Sequence, residues 1–188
     1  MLSRFIQSIF KHRTALGRIA RQARYQANTV LDIDPKQLYQ QGTRVLVLDF
    51  DGVLNHHDAT TIAPPVLEWV LRCQQIFGAD HLYLHSNNNR GSRIDWISQH
   101  IPGLQILDPA NKKPSPEGLL SIMAGTEIKP ETVILVDDRL LTGMLAVCRA
   151  GCKGIYIRKP YTDFTQARFR EVGFWTLRRL ELFFCKIL

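Results

Sequence analysis

The stretch "RVLVLDFDGVLNHH", Arg44 to His57, decides how this chain is read. Val45–Leu48 is a run of four β-type residues, followed by Asp49, Phe50, Asp51 and Gly52. Such a run, closed by a turn signal, predicts a short strand with both faces covered. Two aspartates spaced two apart on an extended chain point to the same side. On its own, Asp-x-Asp-Gly is equally compatible with a turn closed by Asx-type hydrogen bonds. The rest of the chain must discriminate.

Downstream of Gln41, further β-type runs occur at 82–84, 104–107, 133–136 and 155–157. Helical patterns alternate with them near 64–77, 91–100, 115–125 and 141–150. Pro64 and Pro65 suit a first helical turn, and Gly78, Gly125 and Gly151 suit helix ends. This alternation predicts βαβ units: an α/β, Rossmann-like three-layer sandwich with a mainly parallel five-stranded sheet. The tail from Phe164 to Leu188, rich in Phe, Leu and Arg, reads as a final amphipathic helix.

The N-terminal segment differs in kind. Residues 1–31 hold six basic side chains and no acidic one, whereas the remainder has 18 basic and 17 acidic. Leu2, Phe5, Ile6, Ile9, Phe10 and Leu16 fall on one side of a helix, with Arg4, Lys11 and Arg18 opposite. The expected organisation is a basic amphipathic arm over 1–28 and a folded α/β domain over 29–188. A basic amphipathic helix suits an anionic membrane surface. An acid-free, Arg-rich start also suits a mitochondrial transit peptide, and a helix packed on the domain is the plainest alternative. The expected location is cytoplasmic, peripheral on the inner face of a membrane, or else mitochondrial. No apolar run approaches the roughly 18 residues of a membrane span. The four cysteines lack paired metal-site spacing and read as reduced thiols. The near-neutral body and the lack of an aromatic-basic stripe argue against a nucleic-acid partner. The oligomeric state is not encoded in any of these features.

In an open α/β sheet the working site lies beyond the carboxyl ends of the strands. Those positions hold Asp49 and Asp51, then Ser86, Asn87 and Asn88, then Lys112, Lys113 and Pro114, then Asp137 and Asp138. Singly, each has a structural reading: a turn, an N-cap, a solvated lysine, a helix cap. Their conjunction on one edge does not, because clustered buried carboxylates are costly unless a cation balances them. The set suits phosphoryl transfer, which needs a nucleophile, a divalent metal, donors for phosphate oxygens and a proton shuttle. An aspartate can carry an aspartyl-phosphate. A second carboxylate on the same side can move the proton.

The order D-x-D-G-V-L, S-N, K-P, D-D resembles the haloacid dehalogenase (HAD) phosphohydrolase superfamily. The resemblance implies Asp49 as nucleophile and Asp51 as acid/base and, through its backbone carbonyl, metal ligand. It also implies Ser86, Asn87 and Lys113 at the phosphate, and Mg²⁺ held by Asp49, Asp51, Asp138 and Asp137. "NTVLDIDPKQLYQQGTRVLVLDFDGVL", "LHSNN", "KKPSPEGL" and "VDDRLLTGMLAVCRAG" are similar to the YqeG-type branch, which includes the phosphatidylglycerophosphate phosphatases. Two departures stand out. That branch has Asp-Asn-Thr where this chain has Asp51-Gly52-Val53. It also reads Gly-Asp-Gln-Leu-x-Thr-Asp where this chain runs from Asp137 to Gly143.

Only 31 residues separate Leu54 from Ser86, and 24 separate Asn88 from Lys113. Neither gap holds a folded cap domain. The resulting expectation is an open, capless phosphomonoesterase acting on a phosphorylated membrane lipid such as phosphatidylglycerophosphate. A soluble phosphatase for a small metabolite or phosphoprotein is the alternative, and a silent binding module a third. Arg90 and Arg139 are placed to meet an anionic headgroup, whereas His56 and His57 read as loop residues.

Overall fold

The computed structural model describes residues 2–88, 90–165 and 168–187. In chain order it contains α1 (Leu2–Arg21), β1 (Gln26–Ala27), α2 (Pro35–Gln40), β2 (Val45–Leu48), α3 (Pro64–Phe77), β3 (Leu82–Leu84) and α4 (Gly91–His100). Then follow β4 (Gln105–Ile106), α5 (Glu117–Met123), β5 (Val133–Asp137), a π-helical turn (Leu140–Met144), α6 (Leu145–Ala150), β6 (Lys153–Ile157) and α7 (Arg168–Ile187). Of the final helix read over 164–188, Phe164 and Thr165 form a turn instead, and Gln166, Ala167 and Leu188 lie outside the described residues.

All strand pairs are parallel, in the order β1-β6-β5-β2-β3-β4. The sheet has six strands rather than the five read from the sequence. The extra one is β1, two residues that pair with Tyr156 and Ile157 on the far edge. It has no apolar run of its own and exists only through that pairing.

Alternation along the central strands builds two cores, one on each face. Leu46 and Leu48 of β2, with Ile134 and Val136 of β5, pack under α3 and α4 against Trp69, Val70 and Ile97. Val45 and Val47, with Val133 and Leu135, face α1, α5 and α6 through Leu16, Leu119 and Leu145. Burying each such Leu or Val stabilises by about 1.5–3 kcal/mol. This is the three-layer arrangement that continuous apolar strands require. Local signals fix the helix ends. Asp34 caps α2 through the Lys36 and Gln37 amides, Pro64 opens α3, and Gly151 (φ 76°) closes α6.

Between Leu54 and Ser86 the chain forms a loop, α3, a 3₁₀ turn and β3, so no cap domain is inserted there. The second half of α1 is embedded: Leu16, Ile19 and Ala20 are buried, whereas Ile6 and Phe10 are exposed. Among the described residues no helix is long and apolar enough to cross a membrane.

Candidate active site

The strand order turns back between β2 and β5, and the carboxyl edge at such a switch point is where open α/β sheets place their sites. The Asp49 amide donates to the Val136 carbonyl at 3.0 Å, so the ladder carries Asp49 to the edge beside Asp137 and Asp138. From β3, the His85 amide bonds the Leu48 carbonyl at 2.8 Å and delivers Ser86. The strands thus bring together residues up to 89 positions apart in the chain, Asp49 to Asp138.

Lys113 sits at the centre, 4% exposed. Its Nζ lies 2.8 Å from Asp49 Oδ1 and 2.6 Å from Asp137 Oδ2. Burial alone would lower its pKa, but attraction to Asp137 and Asp49 prevails and moves it upward. Asn87 holds this lysine in place by its backbone. Its Nδ2 donates to the Lys113 carbonyl and its Oδ1 accepts from the Lys113 amide, both at 2.8 Å. Ser86 is buried, with its Oγ accepting from the Asn88 amide at 3.1 Å.

Asp51 is held by a residue the sequence reading passed over. Arg93, fully buried on α4, makes a two-pronged contact to the Asp51 carboxylate at 2.8 and 3.3 Å. The same guanidinium donates to the Ala59 and Asn88 carbonyls and stacks 3.6 Å from the Phe50 ring. Arg178 and Glu181, both on α7, were also missed. Arg178 Nε donates to Asp138 Oδ2 at 2.5 Å. Glu181 pairs with Arg139 and accepts from the Leu140 and Leu141 amides. No local pattern marks these three residues, because each meets its partner about 40 positions away.

Asp49, Asp137 and Asp138 are buried and bring oxygen atoms within 4.8 Å of one another. Burial pushes the Asp49 carboxyl well above its usual range, against the pull of Lys113, and Asp137, Asp138 and Asp51 add to the rise. Asp138 is pushed up to about 7 by burial, with Arg178 opposing. Four carboxylates here face three cations, Lys113, Arg93 and Arg178. A cluster of hard oxygens short of positive charge fits Mg²⁺, which takes few carboxylates and suits phosphate. The Asp51 side chain is not in the carboxylate cluster, since it is turned to Arg93.

The two sequence departures have local causes. Gly52 (φ 84°) adopts a conformation other residues avoid, and a Cβ there would come 2.5 Å from Asp138 Oδ2 and 2.8 Å from Arg178 Nη2. At Gly143 a Cβ would fall on the Asp137 carboxylate. Asp137 occupies the space that a side chain at 143 would need.

A cleft of about 610 Å³ opens over Asp49, Asp51, Lys113 and Asp138. Its outer wall is apolar: Phe174, Leu177, Leu180 and Phe184 from α7, with Phe5 from α1 and Leu141. His57, read as a loop residue, lines this cleft, stacked on Phe174 with ring centroids 3.8 Å apart. Arg139 also lines it but is engaged by Glu181, while Arg90 pairs with Asp58 outside it.

A family model described as "Mitochondrial PGP phosphatase" matches residues 6–162. The chain is 24% identical over 128 residues to the "Probable phosphatase YqeG" of Bacillus subtilis (strain 168), covering 68% of this chain and 72% of that protein. Among solved structures, "NagD from E.coli K-12 strain" aligns over 66% of this chain and 91% of that one, at 12% identity and a TM-score of 0.40. The family match runs through all four site motifs, from Asp49 to Asp138. The chain therefore belongs to the mitochondrial PGP phosphatase family, and it is a phosphatase of the HAD superfamily.

Proposed function

We propose that this protein is a Mg²⁺-dependent phosphomonoesterase that works through an aspartyl-phosphate, with a membrane lipid phosphate such as phosphatidylglycerophosphate as substrate. The observation that carries the reading is the Lys113 bridge between Asp49 and Asp137, at the floor of a cleft with an apolar outer wall. Lys113 grips Asp49 through Oδ1 and fixes its aim. Asp49 attacks phosphorus; its O–P bond forms as the bond to the leaving oxygen breaks. Asp51, oriented by Arg93, gives that oxygen a proton. In the second half Asp51 takes a proton from water, which attacks phosphorus, breaks the Asp49 O–P bond and releases inorganic phosphate.

Asp138, Asp137 and Asp49, with the Asp51 backbone carbonyl, would hold the metal. Mg²⁺ supplies positive charge that lets an anionic phosphate approach a carboxylate nucleophile. Ser86, Asn87 and Lys113 would hold the phosphate, with Lys113 tied to Asn87 through its backbone. The apolar wall of α7 and α1 suits acyl chains leaving the cleft, which supports a lipid over a small metabolite. It also supports peripheral attachment to a membrane, on the inner face of a cell membrane or in a mitochondrion.

The test is phosphate release from a panel of phosphoesters with Mg²⁺. Phosphatidylglycerophosphate in micelles should be hydrolysed fastest, ahead of sugar phosphates and phosphopeptides. Asp49→Asn should lower turnover at least about a thousandfold with the circular dichroism unchanged. A soluble phosphoester preferred over the lipid would move the substrate to the small-molecule class, and an active Asp49→Asn protein would remove Asp49 as nucleophile.

A further inference from the structure

On the other side of α7 from the catalytic cleft lies a second cleft of about 800 Å³. Six basic residues line it: Arg21 from α1, Arg158 and Lys159 after β6, and Arg178, Arg179 and Lys186 from α7. No Asp or Glu is among the lining residues. A cavity ringed by one sign of charge concentrates ions of the other sign.

Arg178 is the informative member. It is 7% exposed, and its Nε is taken by Asp138. Its Nη1 and Nη2 are buried with no hydrogen-bond partner among the described residues. Buried donors left unpaired cost on the order of 1–3 kcal/mol each, so such groups in native proteins call for a partner. A guanidinium edge of this kind matches two oxygens of a phosphate. Gly52 packs beside it, where a Cβ would come 2.8 Å from Nη2.

Two half-exposed aromatic residues, Trp175 and Phe164, complete the lining, and Arg179 lies over the Trp175 ring at 5.2 Å. Rings with one apolar and one wet side sit at the boundary between headgroups and chains. The lining offers no carboxylate nucleophile, so a phosphate held here is bound and not hydrolysed.

We propose that this basic cleft is a second, non-catalytic site for the phosphodiester headgroup of an anionic lipid, held by the exposed Arg158 and Lys159 with Arg178 in its wall. Because Arg178 also grips Asp138, the occupant and the catalytic carboxylate share one guanidinium. The inference does not depend on the catalytic substrate being a lipid.

The test uses the full chain and vesicles of phosphatidylcholine, with and without phosphatidylglycerol, a phosphodiester that a phosphomonoesterase leaves intact. Binding should need phosphatidylglycerol, and Arg158→Gln with Lys159→Gln should weaken it about 10- to 30-fold. Both side chains are exposed, and turnover of a soluble phosphoester by the double variant should match the parent. A matched control, Lys11→Gln with Arg13→Gln on exposed α1 positions, should weaken binding less than the cleft variant. Equal loss in both variants would show a diffuse charge effect and overturn the site, as would no response to phosphatidylglycerol. Inorganic phosphate is titrated separately. Saturation of the cleft by phosphate alone, lost in the Arg158/Lys159 variant, would make the ligand a free anion and overturn the lipid assignment. Trp175 fluorescence reports occupancy of the cleft in each arm.

Discussion

At the scale of single residues, the site is organised by exchanges of space as much as by charge. The related pattern Gly-Asp-Gln-Leu-x-Thr-Asp has its outer carboxylate at the position of Gly143 and a glycine at that of Asp137. Here the two have traded places, and the absent Cβ at 143 is what admits the Asp137 carboxylate. Lys113 consequently pairs with Asp137, from the strand end, without losing Asp49. The exchange predicts strong coupling. Gly143→Asp alone drives a second carboxylate onto Asp137 and should destabilise by about 1–3 kcal/mol, as overfilled interiors do. Asp137→Gly alone leaves Lys113 with Asp49 as its one remaining anionic contact of the two and should also destabilise. The double variant restores one carboxylate per space, so its stability should exceed the additive sum by about 1–3 kcal/mol. Urea unfolding of the four proteins measures this. Strict additivity would mean that the two positions do not share a volume.

At the scale of elements, α7 is part of the site and not a tail. Three of its side chains reach the loops that border the candidate site: Glu171 accepts from the His57 amide at 3.2 Å, Arg178 grips Asp138, and Glu181 holds Arg139 and the start of the π-helical turn. Glu181→Gln keeps the shape and removes the charge. The amides of Leu140 and Leu141 and of the facing part of α7 should then exchange hydrogen about tenfold faster, the loss of about 1.4 kcal/mol from charge-assisted bonds. Unchanged exchange would show that α7 is held by its apolar contacts alone. Elements were legible where a period was strong. Residues 64–77 and 91–100 are helices as the sequence predicts, and the 115–125 pattern contracts to Glu117–Met123. The pattern over 141–150 is in fact two pieces, a π-helical turn and then α6, because Glu181 captures the first amides. The strand β1 and the partners of Arg93 and Arg178 were not legible. Each depends on a contact with a distant segment, and nothing in the local pattern encodes which segment will arrive.

At the scale of the whole molecule, charge and burial are segregated. The acid-free first 31 residues and the basic end of α7 border the two clefts, while the sheet carries its carboxylates at one edge. The buried Leu16, Ile19 and Ala20 tie α1 into the second core, so removing residues 1–24 would unfold part of that core along with any surface function. Substitution, not deletion, is therefore the way to probe this segment. A buried histidine beside the site ties global stability to pH. His85 is 2% exposed, packs against Gly118, and has no partner for its Nε2 among the described residues. Burial, helped by nearby Lys113, lowers its pKa from 6.5 to about 3. Between these values the unfolded chain carries a proton at His85 that the folded protein does not. Stability therefore rises with pH across this window, and the contribution present above pH 6.5 is lost as pH falls toward 3. The slope is about 1.4 kcal/mol per pH unit, or about 2 kcal/mol by pH 5. His85→Asn removes the titration, and groups common to both proteins cancel in the comparison. Urea midpoints from pH 8 to pH 5 should fall more steeply for the parent than for the variant. Parallel curves would mean that His85 accepts its proton in the folded state as readily as in water.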